Sequence, residues 1–120
     1  IADFTAPLRA PPASVRAHPA FPKGANVNFF DVEGPGRIWE RTFERGVEGF
    51  TYACGTGTGS VAAVLTLQGA VSGRAVAVQM TGGELVVDVE RRGSTVEHLF
   101  LTGPTNLVAK GELTDEELPL

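Results

Sequence analysis

The chain has 120 residues, 42% of them hydrophobic, one cysteine and a net charge of -4 at pH 7. That is enough apolar material for one compact domain, and a lone cysteine excludes an internal disulfide. Singly scattered Lys and Arg offer no stripe for nucleic acid or an anionic membrane, and no apolar run approaches the roughly 20 residues of a membrane span.

No cluster of metal-ligand type surrounds Cys54, His18 or His98, so neither a metal nor another cofactor is expected. A soluble, cytoplasmic protein fits this composition. Ile1, in place of an initiator Met, reads as the start of a fragment.

In chain order, residues 1–20 are proline-rich and read as a connecting segment, with at most a short helix at 13–17. Residues 21–120 read as the domain proper. Stretches rich in Val, Phe and Thr at 25–32, 37–44, 75–80, 85–90, 95–101 and 106–109 read as strands. Glycine turns separate them, namely Gly34-Pro35-Gly36, Gly82-Gly83, Arg92-Gly93 and Gly103-Pro104. Short turns imply an antiparallel or mixed sheet.

One helix is expected at 61–68, capped by Thr56, Thr58 or Ser60 and stopped by Gly69. It is apolar nearly all round, so the sheet is expected to wrap it. The fold class is α+β, a sheet around a central buried helix.

The segment that carries chemistry is Ala53-Cys54-Gly55-Thr56-Gly57-Thr58-Gly59-Ser60. A lone cysteine is commonly a small buried hydrophobe. Here it precedes a glycine-rich helix start, whose unpaired amides and positive end attract anions, thiolate and carboxylate alike. Glycines build a core poorly and an anion cradle well. A nucleotide-binding glycine loop would need a following Lys-Ser or Lys-Thr pair, which is absent. A Cys-His nucleophile would need His18 or His98, and neither stands in a motif.

Phe43-Glu44-Arg45-Gly46 is a second constellation. Glu44 and Arg45 can both face one ligand only if the strand ends there, as Gly46 permits. Arg45 would grip a carboxylate, and Glu44 would accept from an ammonium or assist the thiol; an exposed ion pair is the plainer reading. Asn26, heading the strand, is either a turn residue or a ligand-holding amide.

Together, Phe21-Pro22, Asn26, Phe43-Glu44-Arg45-Gly46, Ala53-Cys54-Gly55-Thr56-Gly57 and Leu101-Thr102-Gly103-Pro104 resemble the C-terminal half of diaminopimelate epimerases. His18-Pro19 and Lys110-Gly111-Glu112 resemble the flanking pieces of that family.

The resemblance implies two similar halves with the active site in the cleft between them, and one cysteine from each half. It makes Cys54 a catalytic acid/base and Glu44 a catalytic and substrate-contacting acid. Asn26, Arg45, Gly55 and Thr56 become substrate-binding groups. The implied reaction interconverts LL- and meso-diaminopimelate without a cofactor, in lysine and peptidoglycan precursor synthesis.

The partner cysteine belongs to an N-terminal half outside this chain, so the fragment alone is expected to be inactive, and two copies are expected to be able to pair. Phe50 stands where such relatives often carry an acid just before the Thr that corresponds to Thr51. The alternatives are a proline racemase-like relative with another substrate, or a non-catalytic ligand-binding module.

Overall fold

The computed structural model describes residues 11–117. The first half of the expected connecting segment lies outside the described residues. Its second half holds α1 (Pro12–Arg16), whose Arg16 pairs with Glu48 at 2.6 Å.

The strands are β1 (Val27–Gly34), β2 (Arg37–Glu44), β3 (Gly49–Phe50), β4 (Val76–Met80), β5 (Gly83–Arg92) and β6 (Thr95–Thr102), with α2 (Gly55–Leu67) between β3 and β4. They form one mixed sheet in the order β1-β2-β4-β5-β6, and β3 pairs with β2. Tight turns make β1/β2, β4/β5 and β5/β6 antiparallel hairpins. The β2/β4 pair is parallel. A parallel pair needs a long crossover, and the segment containing α2 supplies it.

Alternation along the central strands builds one buried face. Ile38, Val76, Val78, Val87 and Val89 meet Val61, Ala62 and Leu65 of α2 and Val71 beyond it. α2 packs against β1, β2, β4, β5 and β6. Its outer side carries Val64, 50% exposed, and Leu67, 38% exposed.

Two expectations are corrected. Residues 106–109 form no strand, and Leu107 and Val108 lie exposed, because this short apolar run pairs with no sheet edge among the described residues. The helix also begins earlier than expected, at Gly55, and its cap is Cys54 itself.

Candidate active site

Cys54 sits at the mouth of α2 because the segment before it is tied down on two sides. Thr51 N donates to Thr42 O of β2 at 3.1 Å, and Gly82 N in the β4–β5 turn donates to Tyr52 O at 2.8 Å. The backbone is extended at Cys54 and helical after it, the geometry of a capping residue.

Its sulfur takes the place a Ser or Asn oxygen usually has. Gly57 N donates to Sγ at 3.4 Å, and Thr58 N donates to Cys54 O at 2.9 Å. The amides of Gly55 and Thr56, in the first turn, have no helical acceptor by construction. Such first-turn amides are donors of the kind that attract anions, and here they stand beside a half-buried thiol.

Two of the expected site residues converge on that thiol, and a third is tied to it through one of them. Thr56 Oγ1 lies 3.5 Å from Sγ, and Asn26 Nδ2 points at it from 4.0 Å. Arg45 joins through its backbone, since its N–H donates to Asn26 Oδ1 at 2.9 Å while its guanidinium donates to Lys23 O at 2.9 Å. Asn26 thus links the end of β2 to the mouth of α2.

Glu44 is one step removed: its carboxylate accepts from Thr51 Oγ1 at 2.9 Å, and the same hydroxyl lies 3.4 Å from Ala53 O. β2 ends at Glu44, and Gly46 takes φ +91°, a left-handed turn that a side chain would strain. Glu44 and Arg45 therefore each bond elsewhere and not to each other. Phe50 fills an aromatic patch against Phe43 at 5.6 Å and Phe29 at 6.1 Å, with the Arg41 guanidinium over its ring at 5.0 Å.

Sequence reasoning missed the group beneath the thiol. Glu40 of β2 is 2% exposed. Thr58 Oγ1 donates to its Oε2 at 2.9 Å, and Thr42 Oγ1 lies 3.1 Å from Oε1 and 2.8 Å from Asn28 Oδ1. Burial pushes the Glu40 carboxyl above its ordinary value, and the Thr58 and Thr42 hydroxyls pull it part of the way back.

Gly57 seats the helix on this cluster. A Cβ there would stand 2.6 Å from Asn28 Oδ1 and 2.8 Å from Thr42 Oγ1, so any side chain at this position would displace those groups. The one signal available in the sequence was the polar alternation Glu40, Thr42, Glu44 along β2.

A separate cavity of about 730 Å³, lined by Thr66, Ser72, Arg74, Asp88 and Glu90 among others, lies at the far end of α2 from Cys54. Among the described residues, no group of three or more His, Cys, Asp or Glu is placed to hold a metal, and no helix is long and apolar enough to cross a membrane.

Fold and site together define a mixed α+β domain that presents a glycine-framed thiol at a helix N-terminus. Comparison with known proteins sharpens this class. The family model described as diaminopimelate epimerase matches residues 2–108. The diaminopimelate epimerase of Leptospira biflexa is 38% identical over 92% of this chain, and that of Aquifex aeolicus 41% identical over 88%. That of Chlorobaculum tepidum is 40% identical over 78%.

The chain belongs to the diaminopimelate epimerase family. It spans 37% of the length of the Leptospira and Aquifex proteins.

Proposed function

We propose that this chain is the C-terminal part of an enzyme that inverts the α-carbon of diaminopimelate between the LL and meso forms, with Cys54 as one of two thiol acid/base groups. The observation that carries this reading is the capping position of Cys54. Its sulfur receives the Gly57 amide, and the free amides of Gly55 and Thr56 stand beside it.

Inversion without a cofactor needs a base on one face of Cα and an acid on the other. A thiolate takes the α-proton, the electron pair passes toward the substrate carboxylate, and a thiol opposite returns a different proton. The Gly55 and Thr56 amides stabilise the carboxylate as that charge builds. Asn26 holds the substrate near the thiol, Arg45 offers a distal carboxylate grip, and Glu44 contacts the substrate or orients the segment through Thr51.

The second thiol comes from a segment outside this chain. Tyr52, 76% exposed, together with Leu99 and Leu101, forms an apolar rim beside the helix mouth. Leu101 Cδ1 lies 3.8 Å from the Cβ position of Gly55, and Leu99 Cδ1 3.6 Å from that of Gly59. Such a rim suits a covering body, either the remaining part of the enzyme or a second copy. The same cover would complete the enclosure of α2. Residues 1–120 alone lack the second acid/base and are inactive on this reading.

Incubation of the complete protein with LL-diaminopimelate in heavy water tests the proposal. The expected outcome is meso product bearing deuterium at Cα, with no activity from the chain alone and none toward proline. Product without solvent deuterium, or activity from the chain alone, contradicts it.

A further inference from the structure

Glu40 is the acidic side chain that the core encloses among the described residues, and the reaction above makes no use of it. No cation pairs with it, since none of the ion pairs among the described residues includes Glu40. The groups hydrogen-bonded to it among the described residues are two neutral hydroxyls, Thr42 on β2 and Thr58 from α2; behind them stand Asn28 of β1 against Thr42 and Met80 of β4 against Thr58, both neutral. A bare carboxylate in such a place is costly to bury.

Proton counting leads to the same assignment. Thr42 has one hydroxyl proton but two short acceptor contacts, Asn28 Oδ1 at 2.8 Å and Glu40 Oε1 at 3.1 Å. The shorter contact takes that proton, and the longer one then needs a proton from Glu40. With Glu40 as the acid, a single directed chain satisfies every oxygen contact: Glu40 donates to Thr42, Thr42 to Asn28, and Thr58 to the other Glu40 oxygen, with Met80 Sδ left as a packing neighbour of Thr58.

We propose that Glu40 is held as the neutral carboxylic acid and is the positioning residue that locks the first turn of α2, and with it the Gly57 N–H, against Cys54. Three contacts transmit the lock. Thr58 reaches down from that turn to Oε2, Gly57 rests on Asn28 and Thr42, and the Gly57 amide donates to Sγ. Neutrality matters because a negative charge under the helix mouth would oppose any anion held there. The functional meaning of the lock rests on the acid/base role of Cys54; the protonation state of Glu40 does not.

Infrared spectroscopy of the purified chain at neutral pH tests the proposal, since exposed carboxyls are then ionised. The wild type is expected to show a protonated-carboxyl C=O stretch that fades as the pH is raised, and Glu40→Gln to lack it. Iodoacetamide alkylation of Cys54 gives the second readout. Gln repeats both the donor and the acceptor, so Glu40→Gln alkylates at the wild-type rate. Thr58→Val slows alkylation about fivefold, the equivalent of one net hydrogen bond.

Absence of the band in the wild type overturns the proposal and assigns a carboxylate, with the Asn28 amide turned to donate to Thr42. Slowing by Glu40→Gln equal to that of Thr58→Val overturns the positioning role. The wild-type band requires no variant to fold, and it stands or falls separately from proton transfer at Cys54, which the heavy-water assay reads.

Discussion

The two ends of α2 rest on the same pair of strands and are held by opposite means. At the C-terminal end, Leu65 and Val61 meet Ile38, Val76 and Val78, an apolar contact with no direction built into it. One register step further along, at the N-terminal end, Thr58 donates to Glu40 through a hydrogen bond that fixes both distance and orientation, with Met80 Sδ 3.2 Å from the same hydroxyl. Apolar packing stabilises the domain. The polar end places one amide on one sulfur, and placement of that kind is what the proposed proton transfer at Cys54 needs.

The comparison breaks most visibly at the apolar end. Leu65→Ala is expected to cost about 2–5 kcal/mol, the usual range for a buried leucine. Thermal unfolding reads the loss, while Cys54 alkylation below the melting temperature stays at the wild-type rate. Gly57→Ala is the counterpart at the polar end. Its Cβ would crowd Asn28 Oδ1 and Thr42 Oγ1, so about 1–3 kcal/mol of overpacking is expected, now with a changed alkylation rate.

A subtler separation comes from pH. The folded chain keeps a proton on Glu40 that the unfolded chain releases near the ordinary Glu value, because burial raises the folded value. The stabilisation from Glu40 is therefore complete below that ordinary value and is lost as pH rises through the folded one. Urea unfolding of the wild type should show this decline, and Glu40→Gln should flatten it. Smallest of all is Arg37→Ala, away from both ends. Its pairs with Glu84 at 2.8 Å and Glu33 at 3.0 Å are exposed, so chemical unfolding should register a loss of at most about 1 kcal/mol.

The apolar end was the legible one. Val76, Val78, Val87 and Val89 alternate, and Gly69 follows the helix where its composition indicates, so period and punctuation located β4, β5 and the C-terminal end of α2 to within a few residues. The polar end was legible only in part. The glycines after Cys54 marked the helix mouth, but the cap was expected from Thr56, Thr58 or Ser60. Each hydroxyl is engaged elsewhere: Thr58 with Glu40, Ser60 with Thr56 O at 2.7 Å, and Thr56 near Cys54 itself.

Glu40 left only a trace in the sequence, the polar alternation with Thr42 and Glu44. A lone acid on a strand reads as solvent-facing, and only the tertiary meeting of Thr42, Asn28 and Thr58 makes its burial tolerable. The run at 106–109 failed for the complementary reason, since apolar composition makes a strand only where the chain pairs, and this run pairs with neither outer strand among the described residues.

The central claim is that the sulfur capping α2 is a proton-transfer group, and Cys54→Ala in the complete protein tests it most directly. Followed as epimerisation with solvent deuterium entering Cα, the variant is predicted to lose about 10²–10⁴-fold in turnover, while its circular dichroism and melting remain those of a folded domain. Turnover at the wild-type rate in a folded Cys54→Ala protein would contradict the account.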